Sequence, residues 1–289
     1  TFSAQVMSIQ WYPGHMHKAH KDIKKTLPDV DVIIEVLDAR IPYSSANPLI
    51  HALAKNKPVI KLLNKADLAD IDLTSEWQQY LEQGHGVRSL LTATDDSDQT
   101  RQVTQLVTKL AGGKVSRVKT INAMITGIPN VGKSTLINRL AGQVRAKTGN
   151  EPAITRSQQR IRIGDNIMLH DTPGILWPKI DNPNSAYRLA ITNAIRHAVT
   201  DKEDVALYAA DYLLLHDPGL LRERYGLSAL HAEGVALLEE SARKRGCLRA
   251  GGQVAYDKAA NIFLLDIRGG KLGKISLESP QQIEAELLQ

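Results

Sequence analysis

Residues 127–135 read GIPNVGKST, the pattern G-x-x-x-x-G-K-S. An apolar β-branched run, INAMITG, leads into it and a helical pattern, STLINRLAG, leads out. Glycines at this spacing let backbone N–H groups close around phosphates, and a helix that opens at the loop adds its positive dipole end. Asn130, Val131, Gly132 and Thr135 are therefore expected to wrap the phosphates. Lys133 would reach the β- and γ-phosphates, and the Ser134 hydroxyl would ligate Mg2+. Further on, DTPG (171–174) follows the run NIMLHD. Asp171 at that strand end would hold Mg2+ through water, and the Gly174 N–H would meet the γ-phosphate. The loop EPAITRSQQ (151–159) between them supplies Thr155, placed to complete the Mg2+ shell and to sense the γ-phosphate. Asp-Thr-Pro-Gly alone is only a good turn, and a lone loop threonine is usually just that. Their order behind the phosphate loop is what argues for chemistry.

A base reader appears on the other side of the phosphate loop. LLNKAD (62–67) ends an apolar run. The Asp67 carboxylate matches the two adjacent N–H donors of guanine, which adenine does not offer. Asn64 would brace the loop and contact the base edge, and the Lys65 stem would cover the base face. TAT (92–94) follows the run VRSLL, with Thr92 at the strand end and the Ala93 N–H available to the guanine carbonyl. In an ordinary GTPase the phosphate loop precedes the base reader; here Asn64 precedes Gly127. Four matches, each after a strand, make a GTPase in rotated order, as circular permutation permits when chain ends lie close together.

The elements that must carry these loops are legible as well. VDVIIEVLD (30–38), PVIKLLN (58–64), VRSLL (87–91), INAMITG (121–127) and NIMLHD (166–171) are short and nearly continuously apolar. That is how parallel strands covered on both faces read. Helical patterns alternate with them at NPLIHALAKN (47–56), TSEWQQYLEQGHG (74–86, with a Thr/Ser cap) and TRQVTQLVTKLAGG (100–113). The alternation predicts an α/β fold, a mostly parallel sheet with helices on both faces. After Pro178 only helical spacing remains, at 185–199, 203–215, 228–246 and 253–270. The expected division is a permuted G domain over 7–177 and an all-helical domain over 178–289, joined near WPKIDNPN.

Composition narrows the setting. The chain of 289 residues is 43% hydrophobic, enough for a core of one large or two medium domains, and its net charge of +5 favours a polyanionic partner such as nucleic acid. Cys247 is the only cysteine, so an internal disulfide and a cysteine-based metal cluster are excluded, and a reducing compartment, the cytoplasm, is expected. No apolar run reaches the roughly 18 residues of a spanning helix. The start, TFSAQVMSIQ, lacks the order of a signal peptide; Met7 is read as a natural start, and residues 1–6 are set aside.

The chain resembles the circularly permuted GTPases of the YlqF type, the ribosome biogenesis GTPase A family. The resemblance runs through WYPGHMHKA (11–19), DAR (38–40), NKAD, GIPNVGKST, DTPGIL and FLLDIRGGKLGKISLE (263–278). It implies GTP hydrolysis on the maturing large ribosomal subunit, with contacts to its rRNA. A monomer is expected. The basic residues Arg243, Lys244, Arg245 and Arg249 are candidate rRNA contacts, although a charge run is more often a solvated face. DTPG leads straight into the helical part, so loss of the γ-phosphate would be transmitted there through the chain.

Many GTPases place glutamine directly after D-x-x-G to orient the attacking water; Ile175 stands there in this chain. Low intrinsic turnover follows, unless another group acts. His15 is one candidate, implicated by its place in the family's motif and carried inward by a turn at Pro13-Gly14; the alternative is that Trp11, Tyr12 and Pro13 pack and His15 caps a turn. K+ beside Asn130, which resembles the asparagine of potassium-stimulated GTPases, is a second, and the ribosome a third. Two further readings of the whole chain stay open: a GTPase acting on another RNA, and a nucleotide-dependent scaffold that barely hydrolyses.

Overall fold

A computed structural model describes residues 14–93, 98–112, 120–142, 159–195, 201–227 and 232–288; for residues 14–19 it describes the backbone alone. Five parallel strands form the sheet: β1 (Val32–Asp38), β2 (Val59–Asn64), β3 (Val87–Thr92), β4 (Ile121–Gly127) and β6 (Ile167–Asp171). A sixth strand, β5 (Gln159–Ile163), runs antiparallel beside β6 and completes the order β3-β2-β1-β4-β6-β5. β5 had no counterpart among the expected strands. It is short and alternates polar with buried apolar residues, Ile161 and Ile163 facing inward, as an edge strand solvated on one side does.

Every residue of β1 is buried. Its side chains alternate between opposite faces of the sheet: Val32, Ile34 and Val36 join one apolar cluster, Ile33 and Leu37 join two others. The first cluster takes in α4 (Gln99–Leu110) and α5 (Lys133–Leu140) through Val103, Val107, Leu136 and Ile137. The opposite face is covered by Ile23 of α1 (Gly14–Thr26), Ile50 of α2 (Pro48–Ala54) and Trp77 of α3 (Ile71–Leu81). Two starts differ from expectation. Gly14 opens a helix and not a turn. α3 begins at Ile71, because the Asp70 carboxylate accepts from Leu73 N at 2.8 Å and caps it ahead of Thr74.

Beyond the sheet come α6 (Pro183–Ile191), α7 (Lys202–His216), α8 (Pro218–Tyr225), α9 (Gly234–Lys244), α10 (Tyr256–Arg268) and α11 (Pro280–Leu287). α6 stops short of the expected 199 because Asn193 takes a left-handed φ of 63°. α8 and α11 were not expected; each is a two-turn helix opened by proline, and α11 carries a Ser279/Gln282 capping box. The apolar cluster on the β1 face continues without interruption through Leu189, Ala206, Leu213, Leu237, Phe263 and Ile267. Sheet and helical bundle thus share one core. After α10 the chain returns to the sheet, where Ile283 packs among Leu37, Leu63, Ala69 and Trp77. Among the described residues no helix is long and apolar enough to cross a membrane.

Candidate functional site

Parallel strands present their carboxyl ends at one edge, and in open α/β sheets ligands bind there. The register aligns Asp38 with Asn64, Asn64 with Thr92, and Ile125 with Asp171, while Gly127 lies opposite Val36. Four of the expected motifs therefore leave the same edge. They also touch. Asn64 Nδ2 donates to Val131 O at 2.7 Å, and Thr92 Oγ1 donates to Asn64 Oδ1 at 3.0 Å. Lys65 Nζ donates to Asn130 O at 2.7 Å. A side chain at Gly132, which has φ of 91°, would run into Asn64 Nδ2, so glycine is required for this approach. The NKAD segment and the phosphate loop, separated in the chain by two strands, are one structure.

Lys133 sits in the first turn of α5, buried, and its Nζ pairs with Asp171 Oδ1. Burial pushes the Lys133 ammonium down and the Asp171 carboxyl up from their ordinary values, and each opposes the shift in the other. Asp171 Oδ2 is buried and has no hydrogen-bond partner among the described residues. Half-buried Ser134 follows on the same helix turn. A carboxylate oxygen and a hydroxyl at a helix N-terminus are hard oxygen donors of the kind Mg2+ takes, so the residues fit that ion. Thr135 is exposed and Val131 is buried in the core. Gly174 lies against the phosphate loop: a Cβ there would stand 3.3 Å from Pro129 N.

Ile175 is 2% exposed and packs with Ile23, Ile33 and Ile50 in the core. Its carbonyl accepts from Asn47 Nδ2 at 3.0 Å, and Asn47 N in turn donates to Glu35 Oε1 at 2.8 Å. The residue after DTPG is therefore an anchor in this fold. His15 lies in the first turn of α1; its side chain falls outside what is described. Thr155 and Thr94 lie outside the described residues. Ala93 is half-buried and its carbonyl accepts from Arg139 Nη1 at 2.8 Å. Asp67 is exposed and makes no hydrogen bond among the described residues.

Three supporting residues, two acting through side chains and one through its main chain, carried no assigned role in the sequence. Arg40 forms a two-pronged pair with Asp38, Nε to Oδ1 at 2.9 Å and Nη2 to Oδ2 at 2.8 Å, and Lys65 Nζ joins the same carboxylate at 2.9 Å. Burial alone would raise the Asp38 carboxyl, but Arg40 and Lys65 outweigh it and hold it well below the usual carboxylate range. Asn193, at the end of α6, accepts from Asn130 Nδ2 through its carbonyl at 2.6 Å, which ties the phosphate loop to the helical bundle. Charge at a strand end was the available signal for Asp38 and Arg40; nothing local marks Asn193.

The basic candidates do not join this edge. Arg243, Lys244, Arg245 and Arg249 are all exposed, at and beyond the end of α9. Lys244 pairs with Glu240 at 2.9 Å, Arg249 with Asp257 at 3.1 Å, and Arg245 lies over the Tyr225 ring at 5.6 Å.

Comparison with known proteins places this geometry in a family. The model described as RsgA GTPase matches residues 29–180, and the one described as 50S ribosome-binding GTPase matches residues 122–242. Ribosome biogenesis GTPase A of Bacillus pumilus is 44% identical over 95% of this chain and 100% of its own length. The protein of the same name from Thermotoga maritima is 32% identical over 95% of this chain and 96% of its own. Two solved structures of T. maritima YlqF, GDP-bound and GNP-bound, share the fold at TM-scores of 0.66 and 0.67 and 26% identity, covering 90% and 92% of this chain and 99% of theirs. With its rotated motifs gathered at one sheet edge, the chain is a GTPase and belongs to the ribosome biogenesis GTPase A family.

Proposed function

We propose that the protein hydrolyses GTP as an assembly factor for the large ribosomal subunit, with its nucleotide state transmitted to a helical, rRNA-binding part in the cytoplasm. The observation that carries this reading is the Asn130–Asn193 hydrogen bond, 2.6 Å long, between the phosphate loop and the end of α6. The chain also passes from Gly174 directly into that bundle. A change at the γ-phosphate therefore has two short routes to the helices, which is what an order–disorder switch needs. Names borne by close relatives support ribosome assembly as the setting.

Asn64, Lys65, Asp67, Thr92 and Ala93 bind the guanine side; residues 130–135 and Gly174 bind the phosphates. Ser134, Asp171 and Thr155 hold Mg2+, which when bound offsets phosphate charge. Lys133 stabilises the charge that develops on the transferred group. With Ile175 in the core, His15 orients the attacking water, and K+ at Asn130 is the alternative source of positive charge. Arg243, Lys244, Arg245 and Arg249 contact rRNA. The test is GTP turnover by the monomeric protein with and without purified large subunits, in K+ and in Na+. Stimulation by the particles is expected, greater in K+ if Asn130 acts. Turnover unchanged by large subunits would overturn the proposal.

A further inference from the structure

The Asp67 carboxylate is exposed and has no hydrogen-bond partner among the described residues; Arg40 and Lys65 act on it through charge, and the backbone of its loop sets the position from which it reaches out. Upstream of Asp67 the loop is fixed from within the G domain, by Lys65 on Asp38 and Asn130. Downstream it is fixed from the far end of the chain. Ile275 N donates to Leu68 O at 3.0 Å, and Asp70 N donates to Ser276 Oγ at 3.3 Å. Leu277 N donates to Arg40 O at 2.8 Å, and Arg40 Nη1 to Ile267 O at 3.4 Å. Ile275, Leu277 and Ile283 are fully buried. A side chain at Gly270, at φ of 68°, would stand 2.7 Å from Leu68 Cδ2, so the chain runs close over the loop here too.

We infer that residues 275–283 are a positioning strap for the guanine-reading loop, so that guanine preference is set partly by the C-terminal end of the chain. The inference rests on the reading of Asp67 as the base-reading carboxylate. Hydrogen bonds on both flanks of residue 67 restrict its backbone, so that binding the base has to order the Asp67 side chain but not the loop beneath it. Removing a downstream tether lets the loop sample other orientations beyond residue 67 and weakens its hold on the base, while the upstream bonds from Asn64 and Lys65 to the phosphate loop stay in place. Because coupling is reciprocal, a partner that displaces the strap lowers guanine-nucleotide affinity from the base side, independently of any γ-phosphate switch.

The test compares parent, Ser276→Ala, Ser276→Thr and Ile283→Ala in binding GDP and IDP, which lacks the guanine 2-amino group, and in turnover at saturating GTP. Ser276→Ala is expected to lower the preference for GDP over IDP by about fivefold, the worth of one ordinary hydrogen bond. It should leave kcat unchanged, and Ser276→Thr should restore the preference. Ile283→Ala should lower it at least as far. A strap that only stabilises the fold would change the folded fraction and leave the preference of the folded molecules intact; that result overturns the inference, and Ser276→Ala decides it even if Ile283→Ala fails to fold. A parent that binds GDP and IDP equally overturns the base-loop reading itself, and the inference with it.

Discussion

At the scale of single residues, the Asp38 carboxylate is the point on which the base side depends. It is buried and holds two cations, Arg40 and Lys65, at 2.8–2.9 Å. Replacing one partner of a buried pair strands the others, so Asp38→Asn should cost about 3–5 kcal/mol near neutral pH. Its folded-state pKa is depressed, so the stability it contributes is present above the unfolded value and is lost as pH falls through and below it. The gap in thermal midpoint between parent and Asp38→Asn should therefore be widest at pH 7 and narrow below about pH 4, the ordinary Asp value; a gap constant from pH 7 to pH 3 contradicts this. Lys133→Ala should lower particle-stimulated kcat by about two to three orders of magnitude, as loss of a transition-state charge does. If His15 acts on water and not on the ground-state nucleotide, as proposed, His15→Ala should lower stimulated kcat by a similar factor of about 100–1000 while GTP and GDP affinities hold. A stable His15→Ala protein with parental stimulated kcat removes His15 from the mechanism. That four motifs meet at one sheet edge was legible because each follows an apolar strand and has a local spacing of its own. Asn193 was not, because its main-chain carbonyl works through a partner distant in the chain, Asn130 Nδ2; Arg40, paired with Asp38 two residues away, was marked only by charge at a strand end.

Among the elements, the four inner parallel strands were readable because both faces of the sheet are covered there, which makes them nearly continuously apolar, and the edge strand β3 was readable from its apolar Val87, Leu90 and Leu91; β5 escaped because half of it faces water. The short helices α8 and α11 escaped for a different reason: eight residues hardly establish a period, and only caps mark them. The loop between β1 and α2 shows what packing adds. Asn47 caps α2, its Oδ1 accepting from Leu49 N at 3.0 Å, and with its amide it holds Ile175 O. Asn47→Ser keeps a good cap but is too short to reach Ile175, leaving a buried carbonyl unpaired at a cost of about 1–3 kcal/mol. Hydrogen exchange should then quicken over residues 174–178, the segment that joins DTPG to the helices, more than over α2. Equal exchange in parent and variant would show that Ile175 is held by its side chain alone.

Seen whole, the molecule joins the sheet edge that gathers the GTPase motifs to a helical bundle, through a shared core and the returning segment 275–283. Neutralising Arg243, Lys244 and Arg245 together should weaken association with large subunits and reduce its salt dependence by about one unit of slope for each phosphate group that the variant no longer neutralises. Affinity unchanged at every salt concentration would make them a solvated face. A base reader placed before the phosphate loop in the chain is expected to serve the same nucleotide, and that nucleotide to drive the response to the ribosome. The most direct measurement is particle-stimulated turnover of Asp67→Asn with GTP and with xanthosine triphosphate. Asparagine places a donor where guanine offers donors and xanthine an acceptor. Stimulated turnover is predicted to fall with GTP and to reappear with xanthosine triphosphate; parental turnover of GTP by Asp67→Asn would show that Asp67 does not read the base.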